Sequence, residues 1–334
     1  MFAKKIGIDL GTASTRVYVR GEGIVLDEPS VAAVEAESAR VLAIGRQAVE
    51  LAERTPDAVR LVHPVREGAI ADRSAVDQAL RLLVARAQGR QRLFRPEVMM
   101  CVPATATSEH RHALTSAAIA AGARLAWLIE APLAAAMGLD LPVSAPDGCA
   151  VCDVGAGGMQ VAVISLSGVV VAQTARAGGD HLDEAIADWV HQRHGVRLER
   201  RAAESLKLAL GCAVPLDRPR SVEVTGPDAA GAAATVAVSS SDVREAIQAP
   251  LRALAGAVRD VLGQLPARLE SGVAERGLYL TGGGALLRGL DGFLARETGV
   301  PVRVAEDPRT CAVRGTRRAL GEFELLQRRQ LYLR

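Results

Sequence analysis

Two stretches of the chain place an aspartate two residues ahead of a small-residue turn between apolar strands. Residues 5–20 read Lys-Ile-Gly-Ile-Asp-Leu-Gly-Thr-Ala-Ser-Thr-Arg-Val-Tyr-Val-Arg, and residues 149–164 read Cys-Ala-Val-Cys-Asp-Val-Gly-Ala-Gly-Gly-Met-Gln-Val-Ala-Val-Ile. In the first, Gly11, Thr12, Ala13 and Ser14 carry no bulk, so phosphate oxygens can approach backbone N–H groups and two hydroxyls. Asp9 alone would repel a phosphate, and a divalent cation between them removes that repulsion. In the second, Gly155, Ala156, Gly157 and Gly158 offer a similar cradle, and Asp153 suits the water shell of Mg²⁺. A single Asp-x-Gly turn is common. Two in register point to one metal-bound phosphate gripped from both sides. A third turn, Thr281-Gly-Gly-Gly-Ala285, allows close backbone approach to a flat or charged ligand ahead of a helix N-terminus.

Aligned, Asp9 meets Asp153, Gly11 meets Gly155, and Val17 and Val19 meet Val161 and Val163. Each stretch alternates like a β-hairpin, and its recurrence at the start of each half predicts duplicated α/β lobes. The spacing is far longer than that of solenoid or propeller repeats. Elsewhere strands at 98–102 and 125–129 alternate with Ala-rich helices at 109–122 and from Pro132 onward. Helix in two pieces is expected over 180–211, a hairpin over 219–238, and a helix over 241–263. No long linker appears, so short hinges must join the lobes.

The 334 residues suffice for two cores, and 49% hydrophobic with 23% charged is a globular balance. Aromatics make up 3%, so Val, Leu, Ile and Ala must fill the interior. A formal net charge of +2 gives no global pull toward nucleic acid. Lys occurs only at positions 4, 5 and 207 among many Arg, which singles out Lys207. Five cysteines form no disulfide framework, and Cys149 and Cys152, three apart on a strand, point to opposite faces. His191 and His194 read as solvated helix residues. The N-terminus shows no signal-peptide core and no stretch is apolar enough to span a membrane, so a cytoplasmic protein is expected.

The motif order resembles the superfamily of actins, heat-shock chaperones and sugar kinases. More closely it resembles the MreB family of bacterial actin homologues, from about Lys5 to Gly321. The stretches that carry this are Gly7-Ile-Asp-Leu-Gly-Thr-Ala, Gly23-Ile-Val-Leu-Asp-Glu-Pro-Ser-Val, Glu67-Gly-Ala-Ile-Ala-Asp72, Gly178-Gly-Asp-His-Leu-Asp-Glu-Ala-Ile and Leu280-Thr-Gly-Gly-Gly-Ala-Leu-Leu-Arg-Gly-Leu-Asp. The resemblance implies an actin-like α/β fold of two lobes, 1–145 plus 315–334 and 146–314, with smaller subdomains near 31–74 and 181–245. It implies ATP and Mg²⁺ as ligands and filaments at the inner face of the plasma membrane. Cell-wall synthesis proteins, or a paralogue that copolymerises, would be its partners. Thr12, Ala13 and Ser14 would form the first phosphate loop and Gly155 to Gly158 the second. Glu204 and Lys207, on one helix face, would hold the ribose and adenine side, with Gly283, Gly284 and Ala285 closing over the nucleotide.

Departures from the family pattern bear on catalysis. Where the family has two acidic residues before a proline, this chain reads Glu130-Ala131-Pro132. A methyl group at Ala131, the expected catalytic carboxylate, neither accepts a proton nor positions a water. Glu130, one residue off, would point elsewhere. The two threonines and glutamate of the second loop become Gly158, Met159 and Gln160, and position 209, acidic in relatives, is Ala209. Binding led by the backbone survives such losses, whereas fast hydrolysis does not. Leu93 and Phe94, among Arg86, Arg90, Arg92 and Arg95, either cap a local core or suit shallow insertion beside anionic headgroups, and the family resemblance implies a membrane-insertion loop there. The basic, amphipathic C-terminal stretch 325–334 adds a surface contact or packs on the first lobe. An ATP-dependent sugar or small-metabolite kinase of the same superfamily is the alternative. It would need a further catalytic aspartate, and the chain offers no extra acidic motif beyond Asp9 and Asp153. A chaperone would need a substrate-binding domain after these lobes.

Overall fold

The computed structural model describes residues 3–89 and 94–321. Two five-stranded sheets share one topology. In the first, Lys5–Leu10 and Ser14–Val19 form an antiparallel hairpin extended by Gly23–Pro29. On the other side of Lys5–Leu10, Glu97–Val102 and then Leu125–Glu130 run parallel. The second sheet repeats this plan. Cys149–Val154, Met159–Ser165 and Gly168–Ala175 are antiparallel, and Leu278–Thr281 and Val302–Val304 add in parallel. The parallel additions are βα crossovers through helices Ser108–Ala120 and Leu290–Thr298, the connection that parallel pairing requires. Each lobe also carries a smaller insert. The first holds strands Ala32–Glu35, Val41–Ile44 and Val59–Val62 with helix Arg46–Arg54. The second holds helices Gly179–His194 and Arg200–Leu210 and the hairpin Ser221–Pro227 with Ala233–Ser239.

The helix expected over 241–263 is two, Ser240–Ala246 and Gln248–Gly263, meeting at Ile247. Pro250 has no N–H to donate four residues back, and it is tolerated only in a first turn. The break puts it there. Ser239 and Asp242 close the start of the first piece in a reciprocal capping box. After Thr281 the chain makes a 3₁₀ turn, Gly283–Leu286, before helix Leu290–Thr298 begins.

Small residues hold the lobes together. Helices Ala131–Gly138 and Cys311–Gly321 pack on each other and on both sheets, filling the layer between them. A Cβ on Gly315 would collide with the Ala134 carbonyl, and one on Gly138 with the Cys311 carbonyl. These backbones therefore touch where any side chain would part them. Cys149 belongs to this middle layer, while Cys152 faces the outer core of the second lobe. The two cysteines of the C-x-x-C thus leave opposite faces of one strand, and all five cysteines are free and buried. Among the described residues no helix is long and apolar enough to cross a membrane.

Candidate functional site

The duplicated hairpins end in equivalent turns. The Gly11 N–H donates to the Ser14 carbonyl at 3.1 Å, and the Gly155 N–H to the Gly158 carbonyl at 2.9 Å. Asp9 pairs in register with Arg16 and Asp153 with Gln160. The turns come from opposite lobes and meet. A Cβ on Gly157 would lie 2.5 Å from Thr12 Oγ1 and 2.7 Å from the Glu67 nitrogen. Glu67 takes a left-handed φ of 49° in the tight turn between Val65–Arg66 and Ala69–Ile70, uncommon for a residue with a side chain. Its carboxylate accepts from Arg176 Nη2 of the other lobe at 2.9 Å.

Beneath the turns opens a cavity of about 490 Å³, walled by Asp9, Gly11 and Thr12 from one side and Asp153 and Gly155 to Gly158 from the other. Val102, Pro103, Thr105 to Thr107, Ala131 and Gln160 are also in its lining. Burial, and then the neighbouring Asp153, push Asp9 up to about 7, with Arg16 opposing. Burial also raises Asp153, against a hydrogen bond from Thr281 Oγ1 at 3.3 Å. Two desolvated carboxylates that repel one another are a donor set suited to a divalent cation. Among the described residues no group of three or more His, Cys, Asp or Glu could hold a metal directly. A hydrated Mg²⁺ shared with phosphate oxygens fits that arrangement.

The raised Asp9 makes stability depend on pH. Between its unfolded value of 3.8 and about 7 the folded chain holds a proton that the unfolded chain has lost. Stability therefore falls as pH rises through that window. Asp9→Asn removes the charge and the dependence. The melting temperature of the variant minus that of the parent, without nucleotide, should be larger at pH 8 than at pH 5.5, and a difference flat with pH would contradict the assignment.

The other singled-out residues fall as follows. Thr12 lines the cavity, but Ala13 is exposed and Ser14 begins a strand, contributing its carbonyl to the turn. Ala131 faces the cavity, whereas Glu130 is held by Arg111 Nη2 at 3.2 Å. Lys207 Nζ donates to the Gly179 carbonyl at 3.0 Å and to Asp183 at 2.8 Å. It sits directly behind the second turn, because the Gly179 N–H donates to the Gly155 carbonyl. Glu204 is exposed on the same helix. Gly284 and Ala285 pack inward, Gly284 against Val154, while Gly283 faces open space. Leu93 lies outside the described residues. Phe94 is 52% exposed. Arg86 contacts Glu28 and Gln47.

The model of the MreB/Mbl protein family matches residues 3–328. The chain belongs to the MreB/Mbl family. Over 331 residues it is 44% identical to the cell shape-determining protein MreB of Escherichia coli, covering 97% of this chain and 95% of that protein. It is 35% identical to the cell shape-determining protein Mbl of Bacillus subtilis, across 99% and 100% of the two chains. The crystal structure of MreB5 of Spiroplasma citri bound to ADP superposes with a TM-score of 0.90 at 27% identity, covering 98% and 99%. The MamK double helical filament shares the fold at TM-score 0.80 and 20% identity, covering 96% and 99%. The two-lobed architecture is thus the actin-like fold of this family.

Two members of this MreB-type cleft lie inside stretches that the sequence marks, but their contacts come from the fold. Thr281 is buried against Asp153, and a Cβ on Gly282, at φ 79°, would strike the same carboxylate. The positive φ and the closeness both demand glycine there, ahead of the glycines that were singled out. Glu67 opens one of the family-like stretches, but its Arg176 partner lies 109 residues along the chain and no local pattern links them.

Proposed function

We propose that this chain binds ATP with Mg²⁺ in the cleft between its lobes and assembles into membrane-associated, actin-like filaments that organise cell-wall synthesis and cell shape. The observation that carries this is the pair of equivalent aspartate turns, one from each lobe, walling one cavity. Thr12 and the backbone of Gly155 to Gly158 would receive the phosphates, while Asp9 and Asp153 hold the water shell of Mg²⁺, which neutralises the phosphate charge. Glu204, Lys207 and the 283–285 turn would bound the adenosine side, Lys207 acting from behind the second turn through its Asp183 pair. MreB5 bound to ADP and to AMPPNP, and the double helical filament of MamK, support the ligand and the assembly. The kinase alternative has no observation in its favour. Hydrolysis is slow in this reading, because Ala131 is a methyl group and Glu130 is spent on Arg111.

Electron microscopy of the purified chain with Mg²⁺ and AMPPNP should show filaments; monomers whose ATP turnover depends on an added sugar or metabolite would favour the kinase. The exposed Phe94, with Leu93, is proposed to insert at the inner face of the plasma membrane. Changing both to Ser should release filaments from anionic liposomes in a flotation assay, and equal flotation would refute that anchor.

A further inference from the structure

Gln160 stands opposite Asp153 in the second hairpin, so both side chains leave the same face of the sheet and both wall the cavity. Its Oε1 accepts the Ala104 N–H at 3.0 Å. Ala104 belongs to the other lobe, in the loop that leaves strand Glu97–Val102, the parallel neighbour of the Asp9 strand. The Ala104 carbonyl accepts from Arg111 Nη2 at 3.4 Å, Arg111 Nε donates to the Ala106 carbonyl at 3.2 Å, and the same Nη2 reaches Glu130. The loop is gripped on one side by the second lobe and on the other by its own helix. Of the other ties across the cleft, Glu67 with Arg176 and Glu53 with Arg201 are exposed ion pairs worth little, and His181 stands 3.8 Å from the half-exposed Glu67 carboxylate, beyond hydrogen-bond length. The Gln160 bond is half-buried and touches the phosphate side of the cavity.

We infer that Gln160 is the positioning residue through which the second phosphate turn fixes the orientation of the first lobe, and that its bond to Ala104 sets how long a nucleotide stays. This rests on the nucleotide-binding reading above. A nucleotide held between Asp9 and Asp153 leaves only when the lobes part, and parting breaks this bond. Glu130 then has a role that is not catalytic: it fixes Arg111, which fixes the loop that Gln160 reads.

The test is release of a fluorescent, non-hydrolysable ATP analogue with Mg²⁺ from the full chain, with melting temperatures measured alongside. Gln160→Met keeps the length and loses the acceptor. Release should quicken roughly five- to ten-fold, the range for one half-buried hydrogen bond. Gln160→Glu keeps an acceptor for the Ala104 N–H and should retain slow release. Arg111→Met should quicken release and add little on top of Gln160→Met, because both act through one loop. Parent-like release from Gln160→Met, or equally fast release from Gln160→Glu, would overturn the inference. Hydrogen exchange at the Ala104 amide of the unaltered chain needs no variant: nucleotide should slow it, and unslowed exchange would also overturn it. A parent chain that binds no nucleotide would instead sink the proposed function.

Discussion

Gly157→Ala should weaken binding of Mg²⁺·AMPPNP by on the order of 10- to 100-fold, the cost of forcing a methyl group into a closed contact. The reason is geometric. The new Cβ would lie 2.5 Å from Thr12 Oγ1, 2.7 Å from the Glu67 nitrogen and 2.9 Å from the Glu67 Cα. Thr12 can rotate away, but the Glu67 backbone is fixed by its tight hairpin. The two turns must therefore separate, and phosphates gripped by both lose one partner. Gly157 is not among the glycines with positive φ, so alanine meets no backbone strain and the effect isolates the cross-cleft contact. Calorimetric titration against a chain of unchanged melting temperature measures it. Parent-like affinity would mean that the turns need not meet for binding.

Ala131→Glu should raise single-turnover ATP cleavage on the order of a hundred-fold, within the range for a positioned general base. Ala131 walls the same cavity as Asp9 and Asp153, at the start of helix Ala131–Gly138, so a longer side chain there points at the proposed phosphates. Glu130 cannot substitute while Arg111 holds it at 3.2 Å. Ala131→Gln is the matched control. It has the same length and can orient a water without taking its proton, so it should fall well short of the glutamate. Measuring phosphate release after mixing equal protein and ATP separates the chemical step from assembly. A glutamate variant that binds nucleotide yet cleaves no faster would show that the deficit lies in Gly158, Met159 and Gln160 instead.

The parts of this molecule legible in its sequence are those written locally. Asp-x-Gly followed by alternating residues specifies a hairpin within sixteen positions, and its second occurrence marks the duplicated lobes. The membrane of small residues between the lobes was not legible, because Gly138 and Gly315 meet partners far along the chain. The same holds for side-chain partners. Lys207 was singled out by its rarity, but its link to Asp183 joins two helices, and no spacing rule relates positions 24 apart on different elements. Gln160 was noticed as a departure from the family; that its oxygen belongs to Ala104, 56 residues earlier, only the folded chain reveals. Ile247 divides a helix because of Pro250, a signal that is itself present in the sequence.

Affinity for AMPPNP, titrated calorimetrically with and without Mg²⁺ in the parent and in an Asp9→Asn, Asp153→Asn double variant, bears on the whole account. A hydrated ion held by carboxylates of both lobes requires the parent to bind far more tightly with Mg²⁺, and the variant to respond to it little. A double variant that keeps the parent's full response to Mg²⁺ would mean that these two carboxylates do not hold the ion.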